Sequence, residues 1–191
     1  MAGLSQLEAV NIMLGNIGEA PTTSLVNPES DAFVLSALSI LNETVRAVQS
    51  EDWEFNKDRD YPMAPDVDGF IAITDSMISV DTTSNSMDVT VRQNKLYNKD
   101  DHTFVFTDTV KTDVQWEFTY SELPQYIRQY IAVRAARIFA QRQLGDAIGD
   151  QLTEDDERDA KTSAKRRDIR NTDKTIFTNS GMSRIQRRRI M

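Results

Sequence analysis

Apolar positions fall at helical spacing towards both ends of the chain and at strand spacing in the middle. Leu7, Val10, Leu14 and Ile17 recur at steps of three and four, which returns side chains to one face of a helix. Just ahead, Ser5-Gln6-Leu7-Glu8 has the capping-box pattern, in which a serine hydroxyl and a glutamate carboxylate satisfy free N–H groups of the first turn. Gly18 and Pro21 predict the stop. A second helix is predicted from Asn27 as cap and Pro28 at the first helical position, running to about Ser50. Its stripe is Val34, Leu38, Leu41, Val45 and Val48. The short loop between the two helices predicts an antiparallel pair with facing stripes.

From about Trp53 to Tyr120 the pattern shortens. Phe70-Ile71-Ala72-Ile73, Met87-Asp88-Val89-Thr90-Val91, Thr103-Phe104-Val105-Phe106 and Val114-Gln115-Trp116-Glu117-Phe118 alternate or are β-branched. Thr82-Thr83-Ser84-Asn85-Ser86 and Asn98-Lys99-Asp100-Asp101 are turn signals between them. These features predict a small antiparallel β insert of four to six strands. Trp53 with Phe55, and Trp116 with Phe118, are expected in its core or at its seam with the helices.

Helical spacing returns near Pro124. Tyr126, Ile127, Tyr130, Ile131, Val133, Ile138 and Phe139 give a wide apolar face that ends near Gly145. A last helix is predicted from Thr153, with Glu154, Asp155, Asp156 and Glu157 in its first turn and Lys165, Arg166, Arg167 and Arg170 towards its end, both complementing the helix dipole. Beyond Ala160, Ala164 and Ile169 it has little apolar surface, so it is expected to bridge to a partner or to line water. The predicted class is α+β: a mainly α-helical bundle of about four helices from residues 1–52 and 121–172, a β insert or barrel-like domain at 53–120 projecting from it, and a basic extended tail at 173–191.

Composition sharpens this picture. Apolar residues are 39% of the 191, against about 45–50% in ordinary globular chains, and the mean hydropathy is −0.49. So lean a core suits a protein with much intersubunit surface. No apolar run approaches the length of a membrane span, and the first residues have neither the basic nor the apolar region of a secretory signal. Charge is divided: residues 1–157 hold 11 Lys+Arg and 27 Asp+Glu, whereas 158–191 hold 11 and 3. A body this acidic repels a nucleic-acid backbone. The basic end suits DNA, an acidic protein surface, or simply a solvated tail.

Candidate chemistry is sparse. Without cysteine there is no disulfide, zinc ribbon or thiol nucleophile, and His102 is the single histidine. Asp66-Val67-Asp68-Gly69 begins like a calcium loop but lacks the third acidic position and the closing glutamate, which favours a solvated turn. Asp58 and Asp60 flank Arg59 in what reads as a loop with local charge balance. No serine sits in a Gly-x-Ser-x-Gly elbow, and Gly15-Asn16-Ile17-Gly18 falls within or at the end of a helix, where no phosphate loop forms. The expectation is no catalytic residue, no cofactor and no metal.

Three stretches carry a family resemblance. Leu7 to Pro21 (LEAVNIMLGNIGEAP) resembles the opening helix of the tail tubular protein A family of short-tailed, podovirus-type bacteriophages, with its Ala-Val-Asn segment and Ile-Gly-Glu-x-Pro turn. Gln49-Ser50-Glu51-Asp52-Trp53-Glu54-Phe55-Asn56 is similar to the family's Gln-x-x-Gly-Trp-x-Phe-Asn, with Asp52 in place of the common glycine. Leu123-Pro124 through Tyr130-Ile131 to Ala135-Ala136-Arg137-Ile138-Phe139 resembles the third helix. The resemblance implies a head-to-tail adaptor of the virion: a homo-oligomeric ring, dodecameric in the family, between the portal protein and the tail nozzle protein, with viral DNA passing through its lumen during ejection. It implies no enzymatic step. On this reading Arg184, Arg187, Arg188 and Arg189, with Arg166, Arg167 and Arg170, are expected to dock the portal. Asp66, Asp68, Asn98, Asp100 and Asp101 are expected to face the nozzle. The alternative is a DNA-binding or packaging accessory protein using the arginine-rich tail.

Overall fold

Ser5 starts the first helix as its spacing requires. In a computed structural model, which describes residues 3–83, 87–145 and 154–176 (side chains of 172–176 excepted), the hydroxyl of Ser5 accepts from the Glu8 N–H, and Glu8 accepts from the Ser5 N–H at 2.7 Å. This box caps α1 (Gln6–Asn16), and the hydrogen bonds from the backbone and hydroxyl of Ser5 hold the Glu8 carboxyl below its ordinary value. Gly18 follows the C-cap in the left-handed region, φ +78°, where a side chain is strained. Asn11 then brackets the turn: its amide donates to the Thr22 carbonyl at 3.0 Å and accepts from the Thr22 N–H at 2.9 Å.

The second helix begins later than the sequence suggests. Asn27 caps only a short 3-10 turn, Pro28–Ser30, and makes no side-chain cap bond. The true cap is Asp31, whose carboxylate accepts from the Phe33 and Val34 N–H groups, starting α2 (Ala32–Gln49). A proline at the first position is compatible with either helix type, and Asp31 out-competes Asn27 because it reaches two orphan donors. The Pro124 signal holds: α3 (Gln125–Leu144) runs to Gly145. The core of α1, α2 and α3 is made by Val10, Met13, Leu41, Val48, Ile127, Ile131 and Phe139, all buried. α4 (Glu154–Ile176) packs on α3. The chain is α+β.

The chain divides into two units, one of residues 1–55 with 120–191 and one of 56–119. The second is an antiparallel β unit. β1 (Lys57–Met63) and β2 (Met77–Thr82) flank β5 (Val110–Trp116) in one sheet, ordered β1-β5-β2. β3 (Val89–Arg92) and β4 (Lys95–Asn98) form a hairpin. Gln93 and Asn94 close it with φ of +51° and +56°, the two left-handed residues of a tight turn that follows strand twist. Ile71, Ile73, Val80, Leu96, Phe106 and Val114 fill its core.

Two expected strands are not strands. Residues 70–73 and 103–106 keep their inward residues, Ile71, Ile73 and Phe106, yet contribute only the isolated bridges Ala72 to Lys95 and Asn98 to Thr103. The run 114–118 is the end of a strand that starts at Val110 and stops at Trp116. The segment taken as a balanced loop around Arg59 is instead β1, an edge strand with a bulge between Asp58 and Tyr61. Charges, a proline and a bulge on an edge oppose pairing with foreign strands. Trp53 and Phe55 are not in the β core: both belong to the helical unit. The rest of the Thr82–Ser86 turn, the start of the last helix at Thr153, and the tail beyond Ile176 lie outside the described residues.

Candidate functional site

The last helix is polar on every face, yet it is docked. Glu157, Lys161, Ala164, Lys165 and Asp168 recur at helical steps along its inner face. Among its described side chains only Ala164 is a buried apolar residue. Ion pairs and hydrogen bonds hold its inner face where an apolar stripe normally would, and the expectation that the helix bridges to a partner or lines water falls to its exposed face.

Two stations do this. At the first, Arg134 of α3 donates to Glu51 at 2.6 Å and lies 3.6 Å from Glu157, and Arg137 donates to Glu157 at 2.6 Å. Lys161 reaches the other oxygen of Glu51 at 2.8 Å. Burial works against the Arg134 charge, but the bonds to Glu51 and Tyr130 more than offset it. The Glu51 hydrogen bond likewise raises Lys161. At the second station Asp168, only 2% exposed, accepts from the Glu54 N–H at 2.7 Å, the Phe55 N–H at 3.2 Å and the Tyr126 hydroxyl at 2.9 Å. Burial and the bond to Asp168 push the Tyr126 hydroxyl up, so it stays a donor. Lys165 joins the stations: its ammonium lies 3.8 Å from the centre of the Trp53 ring and donates to the Asp52 carbonyl.

The Trp-x-Phe-Asn segment owes its residue types to these contacts. The Trp53 indole N–H donates to the Val48 carbonyl at 2.8 Å, meeting a free acceptor at the end of α2. Asn56, in the β unit, donates to the Trp116 carbonyl at 2.9 Å and accepts the Trp116 N–H through its own carbonyl.

With its inner face spent on α3 and the 51–55 segment, α4 turns Arg166, Arg167 and Arg170 to solvent. None of the three has an ion pair among the described residues. Arg184, Arg187, Arg188 and Arg189 lie outside the described residues. On the β unit, Asp66 and Asp68 are exposed in one turn, where the Asp66 carboxylate accepts from the Asp68 and Phe70 N–H groups. Asp100 and Asp101 are exposed in another, but Asn98 is buried at 3%. Asn98 is thus a scaffold residue and not a surface contact. Its amide oxygen accepts from the Asp100 and Asp101 N–H groups at 2.9 and 3.2 Å, and its nitrogen donates to the Asp101 carboxylate at 2.8 Å. Asn98→Ala is expected to cost about 2 kcal/mol, because two donors and a carboxylate lose their partner. Faster amide exchange at residues 100–103, together with a lower urea midpoint, is the measurement that checks it.

Asp168 and Glu51 escape a reading by residue type, since acids within a charged run look solvated. The available signal was their phase: Asp168 shares a face with Ala164 and Lys161. Among the described residues no helix is long and apolar enough to cross a membrane. A family model described as tail tubular protein matches residues 7–174. No curated protein matches the chain.

Proposed function

The chain belongs to the tail tubular protein family, a structural protein of the phage virion tail, and we propose that it is the ring adaptor between the head portal and the tail nozzle. On this reading many copies form an annulus through which DNA passes, and the chain performs no catalysis. The net charge of −8 supports the passage: acidic walls repel phosphates and release no counterions to them, so DNA slides without being gripped. The exposed Asp66, Asp68, Asp100 and Asp101 are offered to the nozzle side.

One observation carries the portal side. α4 is fixed by buried polar contacts on one face, and the arginines on its other face have no ion partner among the described residues. Rigidly held arginines without an ion partner among the described residues suit an acidic protein surface. The triple reversal Arg166→Glu, Arg167→Glu and Arg170→Glu is expected to lower attachment to portal-bearing heads by at least about tenfold, while the unfolding midpoint stays put. Attachment is read by co-sedimentation with heads. Unchanged attachment would reverse the assignment. The DNA-accessory reading requires instead that the unaltered chain bind duplex with a steep salt dependence.

A further inference from the structure

One end of the helical unit exposes apolar residues on a stretch of chain without basic side chains, and Arg142 at the adjoining end of α3 is paired with Glu43. Residues 1–45 contain Glu8, Glu19, Glu29, Asp31 and Glu43 but no lysine or arginine. Within this stretch Ile12, Val26, Phe33 and Leu35 are exposed at 42, 82, 39 and 45%. Several contacts place them at a common end. The Asn11–Thr22 bonds fold the connecting loop back on α1. The Gln6 amide meets Asn42 in the second half of α2 at 3.4 Å, and with Leu4 bonded to Gln125 at the start of α3 the helices α1 and α2 run antiparallel, so Ile12 lies towards the start of α2. The Gln143 amide donates to the Ser36 hydroxyl at 3.0 Å, which sets the start of α2 beside the end of α3.

The opposite composition occurs in residues 177–191. They contain Arg184, Arg187, Arg188 and Arg189, no carboxylate, and the apolar residues Phe177, Ile185 and Ile190. We propose that this C-terminal segment of one copy docks on the α1–α2 end of a second copy, its arginines against Glu19, Glu29 and Asp31 and its apolar residues across the start of α2, where Phe33 and Leu35 are exposed on either side of the buried Val34. Complementary charge brings the surfaces together, and apolar burial holds them. This rests on the multi-copy reading above, but it assigns the tail arginines to a neighbouring subunit in place of the portal.

Chain reach selects the neighbour. α4 runs antiparallel to α3, since Glu157 pairs with Arg137 and Asp168 with Tyr126. Tyr126 to Gln143 along α3 covers about 26 Å, and Asp168 to Ile176 carries α4 about 12 Å further from the patch. Arg184 lies eight residues beyond Ile176, a span of at most about 29 Å. Within one copy Arg184 falls short of the patch, Arg187 reaches it only on a fully extended chain, and Arg189 only on one stretched to roughly four fifths of its limit. A second copy removes that constraint.

Two measurements test the proposal. A fluorescent peptide of residues 177–191 is titrated against the full chain by anisotropy. Saturable, salt-sensitive binding is expected, weakened about tenfold by Phe33→Asp with Leu35→Asp, and similarly by Glu19→Lys with Glu29→Lys on the exposed loop. Val67→Asp, on a turn of the β unit, is expected to leave it unchanged. No binding, or equal loss in all three variants, overturns the site. Because the chain has no cysteine, chains carrying Leu35→Cys and chains carrying Ile190→Cys can be mixed under oxidation. A disulfide between chains is expected. A bond formed only within a chain that carries both cysteines overturns the second-copy assignment. Peptide binding without any oligomer in sedimentation would sink the ring reading and leave the docking site standing.

Discussion

Replacing Asp168 with alanine is expected to lower stability by about 3 kcal/mol or more and to loosen the C-terminal half of the last helix. The carboxylate is nearly inaccessible and accepts from two backbone N–H groups and one phenol. A hydrogen bond to a charged group contributes about 1.5–3 kcal/mol, and buried donors left without a partner add their desolvation cost. Ala164 alone supplies buried apolar contact on the described part of α4, so once this bond set is gone the helix is left to the ion pairs of Glu157 and Lys161 and to Lys165. Asp168→Asn separates charge from shape. It retains one acceptor oxygen but turns an NH2 towards N–H donors, so it is expected to cost about 2 kcal/mol. Urea unfolding followed by circular dichroism gives the magnitude. Amide exchange at Glu54 and Phe55 gives the mechanism: both should quicken in the alanine variant while the α1 amides stay protected. A native unfolding midpoint in Asp168→Ala would mean that the Glu157, Lys161 and Lys165 contacts hold α4 without Asp168.

The helices were legible where apolar period and cap agreed. Ser5 with Glu8, and Pro124 with the Tyr126–Phe139 stripe, each put two independent signals at one boundary. Asn27-Pro28 also looked like a start, but the sequence does not reveal that Asp31, three residues on, reaches two amides. β1 was illegible for a physical reason: as an edge strand it buries only Met63, and its charged residues carry no alternation. Residues 70–73 show the converse, since alternating apolar residues bury Ile71 and Ile73 without a continuous ladder. Alternation reports which side chains face inward, not whether neighbouring backbone is there to pair. The clamp under α4 was hidden for a third reason. Its acceptors, Glu51 and Asp168, are 117 positions apart, and their donors come from α3, α4 and the 54–55 backbone, so no local spacing links them. The arginines at 166, 167 and 170 were legible as charge, but their outward direction follows only from knowing which face Asp168 occupies.

Trp53→Ala is expected to be the most damaging single truncation in the helical unit. The side chain is fully buried, with its ring 5.9 Å from that of Tyr130 and 6.4 Å from that of Phe55. Deleting so large a buried aromatic costs about 3–5 kcal/mol, a large part of the roughly 5–15 kcal/mol that stabilises an ordinary domain. Three further losses come with it. The Val48 carbonyl loses its donor at the end of α2. Lys165 loses the ring face beneath its ammonium, a contact worth about 1–2 kcal/mol when partly desolvated. Tyr130, which also accepts from Arg134 at 3.1 Å, loses its packing partner, so the first station of the clamp loosens with the second. Trp53→Phe keeps most of the apolar volume and removes only the indole N–H and the second ring, so about half the cost or less is expected. Unfolding should be followed by helical circular dichroism, because the remaining tryptophan, Trp116, reports on the β unit. At temperatures where the other helices remain folded, Trp53→Ala is expected to lower attachment to heads by less than the triple arginine reversal, since Arg166, Arg167 and Arg170 keep their charge and lose only their fixed position.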